Sequence, residues 1–320
     1  MSTNAKMPQP DKASTSTSNK GKTILKARPR RASRTAQETL RFRAIESLRP
    51  EDERICSDLL ASKLMGPFWR LFSQVGFFRR RLIRALDKED TGLANFVVGR
   101  TRYIDDLLNA QIDDGIKQLV ILGAGYDSRA YRFSRLEGQV KVFELDEVAT
   151  LKLKFARVRF ALRSFPKNLV YVAIDFNRDK LETRLSQSGY DKNLKTFFIW
   201  EGVTNYIRPE AVDRTLAFIA SNSGPGSCVV FDYYFASVVD GTSKLNESRK
   251  ARDTAAKVGE PLLFGINSDR LAGFLSSRGF ELAQNVNAES LKEMYFKVKS
   301  QQRKVFPLIA IATARVQQAR

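Results

Sequence analysis

Gln118-Leu119-Val120-Ile121-Leu122-Gly123-Ala124-Gly125-Tyr126-Asp127-Ser128 is the stretch from which the fold is read. Leu119 to Leu122 run apolar without alternation, as a strand buried on both faces of a parallel sheet does. Gly123 and Gly125 then let the backbone turn tightly and approach a ligand closely before a helix begins near Arg129. The full dinucleotide pattern G-x-G-x-x-G is not met, because Ser128 stands at the third glycine.

Downstream, the same grammar repeats. Val140–Glu144, Leu169–Ile174, Thr196–Trp200 and Cys228–Phe231 read as further buried strands. Helical patterns fill the gaps at Arg129–Leu136, Val148–Leu162, Asp179–Gln187, Pro209–Ser221 and Ser268–Arg278, and two late strands fall near Phe280–Gln284 and Val305–Ala314. Alternating β and α predicts an open, mostly parallel, doubly wound sheet. The span Asp232–Ile266 is long for a strand-to-helix connection, and long loops at strand ends carry substrate contacts. Upstream, Thr35–Arg49 reads as a helix ended by Pro50, and Asp58–Leu64 as a second. Phe68–Leu86 is aromatic and basic at helical spacing. It can lie on a membrane surface, but the plainer expectation is aromatics packed on the core and solvated arginines. The domains expected are a basic disordered tail over residues 1–34, a helical cap over 35–115 and a ligand-binding α/β domain over 116–320.

The 320 residues carry 54 Lys plus Arg against 35 Asp plus Glu, a net +19, and no histidine. Nine basic residues and one acid before Thr35 give the tail +8. Such a tail is drawn to anionic surfaces. The missing histidine excludes a Ser-His-Asp triad, a Cys-His dyad and any His-ligated metal. Cys56 and Cys228 are too few for a zinc site and do not resemble a secreted disulfide framework. No apolar run reaches the roughly 18 residues that span a bilayer, so the expected compartment is reducing and cytoplasmic, and no metal site is expected.

Ligands in such sheets sit outside the carboxyl ends of the strands. After the second strand comes Asp146, placed to accept from both ribose hydroxyls of a nucleoside. Asp175-Phe176 follows the third strand, where a carboxylate suits an adenine amino group, and Glu201-Gly202 follows the fourth. No Lys-Ser/Thr phosphate clamp follows the glycines. Acids at several strand ends repel phosphates and suit a cationic nucleoside, S-adenosylmethionine (SAM), with S-adenosylhomocysteine as product. Its carboxylate requires a base, and Arg100 and Arg102 lie just before the sheet.

Several segments together resemble the leucine carboxyl methyltransferase family. They are Ala36–Asp58 with Arg43-Ala44-Ile45-Glu46-Ser47, Gly99–Asp106, Val120–Arg132, Glu144-Leu145-Asp146 and Ile199–Tyr206. The similarity is greater to the bacterial branch, which includes polyketide O-methyltransferases, and it extends from about Thr35 to Ala314. It implies a Rossmann-like class I methyltransferase fold with an N-terminal helical cap and an antiparallel last strand. It also implies that Gly123 and Gly125 lie along the methionine moiety, Asp146 on the ribose, Asp175 and Phe176 about the adenine, Glu201 at the amino-acid end, and Arg100 or Arg102 on the carboxylate. The chain departs from the family pattern at Leu59 and Val148, where proline is usual.

Methyl transfer is an in-line displacement that the protein assists mainly by alignment and exclusion of water. Without histidine, a base must be Asp127, Glu201 or a tyrosine such as Tyr206, which favours an acceptor already ionised: a carboxylate or acidic hydroxyl of an anionic small molecule. Tyr103, Tyr126, Tyr233, Tyr234 and Arg249 are the candidates for the acceptor pocket. A carboxyl methyltransferase acting on a protein C-terminus is the alternative. A basic RNA-binding protein with a degenerate SAM fold is a further one, although no nucleic-acid motif is present. Weak contact with anionic membrane surfaces is expected of the tail. The sequence leaves the oligomeric state open.

Overall fold

A computed structural model of the chain describes residues 33–89, 91–162, 164–296, 300 and 302–317. The proposed tail therefore lies outside the described residues, apart from Ser33 and Arg34. Ser33 caps the first helix, its Oγ accepting from Ala36 N, and Arg34 is already helical.

Among the described residues, eight strands form one sheet: β1 (Gln118–Leu122), β2 (Lys141–Asp146), β3 (Leu169–Ala173), β4 (Thr196–Trp200), β5 (Cys228–Phe235), β6 (Gly265–Ile266), β7 (Phe280–Val286) and β8 (Ile309–Val316). Their order is β3-β2-β1-β4-β5-β8-β7, with the short β6 paired to β5. Pairings from β3 to β5 are parallel, and β8 runs antiparallel to both its neighbours. The order reverses direction at β1, so the crevice of this doubly wound sheet opens between the ends of β1 and β4. Side chains of β1 alternate between two cores: Leu119 and Ile121 face one, Val120 and Leu122 the other. The first core is closed by the helices Leu93–Asp113 and Ala288–Tyr295, the second by Leu181–Gln187, Pro209–Ser221 and Leu271–Ser276. Helix Leu93–Asp113, assigned from sequence to the cap, thus belongs to the sheet's own core.

Several elements differ from expectation. β8 begins at Ile309 rather than Val305, because Phe306 N is donated to Gly92 O and the chain around Lys304 packs on Gly92. The predicted helix Arg129–Leu136 breaks into Arg129–Arg132 and a 3-10 turn at Ser134–Leu136. Phe68–Leu86 is a helical hairpin, Pro67–Gln74 and Gly76–Asp87, hinged at the extended Val75. Its phenylalanines do not pack on the core as expected: Trp69, Leu82, Ile83 and Leu86 face inward, while Phe68, Phe72, Phe77 and Phe78 are exposed. The inward face already fills the space against Phe42, Ile45, Ala94 and Val97. Among the described residues, no helix is long and apolar enough to cross a membrane.

Candidate functional site

A cavity of about 1010 Å³ opens at the carboxyl ends of β1, β2 and β4. Gly123, Gly125, Tyr126, Asp127, Asp146, Asp175, Phe176, Glu201 and Tyr206 line it, so most of the residues proposed from sequence meet there. The glycine turn is sterically required. Gly123 has φ +69°, and a Cβ there would lie 2.2 Å from Val203 Cγ2.

Asp146 sits at the end of β2 with its two oxygens on two backbone amides. Gly125 N and Glu147 N each donate at 2.6 Å, to Oδ2 and Oδ1. Burial raises the carboxyl to about 6 despite those donors. Each oxygen keeps a lone pair, so the group can accept two more hydrogen bonds. Asp175 is fixed by its own turn, accepting from Asn177 N at 3.0 Å.

Beneath the cavity lies an ionic network. Arg100 donates through Nε to Glu201 (2.9 Å) and through Nη1 to Asp232 (2.6 Å), while its Nη2 has no hydrogen-bond partner among the described residues. Arg129 donates to Glu201 (2.8 Å), Asp105 (2.8 Å) and Asp127. Arg132 shares Asp105. Three guanidiniums thus face four carboxylates. Burial would raise Glu201, but Arg100 and Arg129 outweigh it and hold the carboxyl at about 2. Burial likewise opposes ionisation of Asp127, and Arg129 again prevails, so its carboxyl stays below the ordinary range. Burial pushes the Tyr206 phenol up to about 12, and the charges of Glu260 and Asp232 add to this. Glu201 and Asp127 are therefore held as fixed charges, and Tyr206 as a protonated phenol.

Five sequence candidates lie elsewhere. Arg102 is exposed, pairs with Asp106 one turn on and stacks over Tyr295; the 3.6-residue period turns it away from the face that carries Arg100. Tyr103 is buried against β7 and β8, its hydroxyl on Gln284 and Thr313. Tyr233 and Tyr234 fall within β5, which runs four residues beyond its predicted end. Tyr233 Oη donates to Asn285, and Tyr234 packs edge-on to Phe306. Arg249 is exposed on the helix Asn246–Lys257, away from the cavity lining.

Other residues were not foreseen. Asp232 is the acid after the apolar run of β5; reading that strand's end as the other strand ends were read would have found it. Arg129 carried no local signal, since its role depends on three acids from distant segments. The mouth is formed by the start of the first helix (Arg34, Thr35) and by residues 256–261. There Glu260 Oε2 accepts from Thr35 N at 3.2 Å and from its hydroxyl. Asp232–Ile266 thus does reach over the cavity, as its length suggested.

The family model described as leucine carboxyl methyltransferase matches residues 36–220, more than half of the chain. A protein of Bacillus subtilis named a putative S-adenosyl-L-methionine-dependent methyltransferase is 26% identical over 268 residues, 81% of this chain and 88% of its own length. A Streptomyces coelicolor protein with the same designation is 34% identical over 199 residues, 60% of this chain and 66% of its own. One from Mycobacterium avium is 33% identical over 190 residues, 58% and 61%. The match thus spans most of the first relative but under two thirds of the other two. Among solved structures, a putative methyltransferase from Thermobifida fusca shares the fold with TM-score 0.53 at 14% identity, covering 87% of this chain and 94% of that one. A DUF574 family protein from Streptomyces avermitilis does so with TM-score 0.52 at 14% identity, covering 75% and 90%.

Proposed function

Because the chain belongs to the leucine carboxyl methyltransferase family and is an S-adenosyl-L-methionine-dependent methyltransferase, we propose that it methylates an oxygen that arrives already ionised: the carboxylate or acidic hydroxyl of an anionic small molecule.

The cavity fits the cofactor by its own chemistry. Asp146 has acceptor capacity for two ribose hydroxyls beside the turn at Gly123 and Gly125. Asp175 and Phe176 lie where a base would rest. The carboxylate excess of the network suits an ammonium, and Arg100 Nη2 suits a carboxylate; Arg102, being exposed, is no longer a candidate. When bound, the cofactor supplies a methyl group on a positively charged sulfur. The chain's own part is to orient it, to keep water out and to bring the acceptor oxygen into line.

One observation carries the acceptor assignment: the three bases named from the sequence, Asp127, Glu201 and Tyr206, are unsuited to take a proton near neutrality. Asp127 and Glu201 are held as anions by guanidiniums and Tyr206 holds its own proton, while the spare lone pairs of Asp146 are assigned to the ribose hydroxyls. A general base works best with a pKa near the operating pH. Arg34, Arg208 and Lys257 in the outer lining favour an anionic molecule.

The test pairs the wild type with Tyr206→Phe on acceptors found by incubating the protein with methyl-labelled SAM and a metabolite extract. With an ionised acceptor the substitution costs about tenfold or less and leaves the pH profile unchanged. A loss of about 10²–10⁴-fold at unchanged SAM affinity means that Tyr206 removes a proton, and the reading fails. Label entering only proteins or C-terminal peptides would favour the family's other acceptor class, a protein's terminal carboxyl group.

A further inference from the structure

We propose that the helical hairpin Pro67–Asp87 docks the protein on an anionic phospholipid surface. Its two helices present one continuous apolar cluster to solvent: Phe68 is 77% exposed, Leu71 64% and Phe77 63%, joined by Phe72, Val75 and Phe78. Phe72 and Phe77 each pack edge-on against Phe78, at 5.2 and 5.6 Å between ring centroids, so the cluster is preformed across the hinge. Single exposed apolar residues are ordinary, but a contiguous cluster marks an interaction site. The hairpin is firmly rooted, since Trp69, Leu82 and Ile83 pack against Phe42, Ile45, Ala94 and Val97.

The charges identify the partner. Arg79, Arg80, Arg81 and Arg84 are exposed, and none makes an ion pair among the described residues. Phe77, Arg80, Arg81 and Arg84 share the outer face of their helix by the i, i+3, i+4 rule. The single acid of the hairpin, Asp87, is taken by Arg49. Apolar side chains flanked by arginines on one surface are what an interfacial membrane helix requires: rings enter the headgroup boundary and guanidiniums meet lipid phosphates. A second copy of the chain is a poorer occupant, because a two-fold interface would set this arginine face against itself.

The full chain is sedimented with vesicles of phosphatidylcholine and with vesicles of equimolar phosphatidylcholine and phosphatidylglycerol, at low and high salt. We expect partitioning on the anionic vesicles alone, weakened by salt. The triple change F68S/F72S/F77S lowers it by about tenfold or more, and R79Q/R80Q/R81Q by about tenfold at low salt. All six positions are exposed, so circular dichroism and SAM affinity stay unchanged. Binding by both variants equal to the wild type overturns the proposal and transfers the role to the basic residues before Ser33. So does a wild type that binds neither vesicle. A wild-type dimer that the serine changes disperse, with no vesicle binding, overturns it in favour of self-association.

Discussion

The floor and the mouth of the cavity are built on opposite principles. At the floor, Arg100, Arg129 and Arg132 are locked to Asp105 from one long helix, Asp127 from the turn after β1, Glu201 at the end of β4 and Asp232 within β5. At the mouth, two segments 225 residues apart meet through Thr35 and Glu260. A buried network fixes positions to within a hydrogen bond but leaves little freedom to alter any member. A mouth tied by few bonds can differ between relatives without disturbing the floor. On the proposed reading, cofactor recognition belongs to the floor and acceptor recognition to the mouth.

The largest expected effect breaks the floor. Arg129→Ala leaves Glu201, Asp127 and Asp105 short of a partner in a buried place, which costs on the order of 3–5 kcal/mol of stability. Chemical denaturation measures it. The mouth counterpart, Glu260→Ala, removes one partly exposed acceptor and costs about 1 kcal/mol. Equal losses would mean that the two regions are not differently built.

Asp146→Ala tests the floor's affinity rather than its stability. Losing a charged acceptor for two hydroxyls costs on the order of 1.5–3 kcal/mol, about ten- to a hundredfold in SAM binding by calorimetry. The same carboxyl makes binding depend on pH. It titrates at about 6, and only its ionised form accepts from both hydroxyls. SAM affinity is therefore full above that pH and lost as pH falls through it, about tenfold between pH 7 and pH 5. Its contribution to the stability of the ligand-free fold has the opposite sign. It is fully present below the ordinary aspartate value of about 4 and lost as pH rises through about 6. A flat binding profile in the wild type would remove Asp146 from the ribose.

The same contrast explains what could be read from the sequence. β1, the glycine turn and the acids after β2, β3 and β4 were legible because a buried parallel strand and the residue that ends it are local patterns. Arg100 could not be told from Arg102 by spacing alone; the helix period decides once the buried face is known. Tyr233 and Tyr234 were misplaced because β5 runs on to Phe235, which turned expected pocket residues into core. The hairpin was misjudged for another reason. Composition shows that aromatics are present but not how much inward surface remains for them, and Trp69, Leu82, Ile83 and Leu86 had already filled it. Asp105, Asp127, Glu201 and Asp232 gather on Arg100 and Arg129 only after folding, so no window of sequence contains the network.

The smallest expected effect sharpens the comparison at the mouth. Glu260→Gln keeps the shape of the side chain and a carbonyl acceptor for Thr35, but removes the charge. If the mouth serves the acceptor alone, SAM affinity should stay within about twofold of wild type, while the acceptor's KM changes by about threefold to fivefold, the range of one weakened charge-assisted hydrogen bond near the surface. For an anionic acceptor the sign is set by Coulomb's law. Removing a negative charge from a lining that also holds Arg34, Arg208 and Lys257 should lower KM, not raise it. A spectroscopic titration provides a second readout. Glu260 is among the groups that hold the Tyr206 phenol up at about 12, so its neutralisation should bring that titration down. A raised KM with the expected phenol shift would confirm the geometry yet count against an anionic acceptor. A changed SAM affinity would show that mouth and floor are one unit.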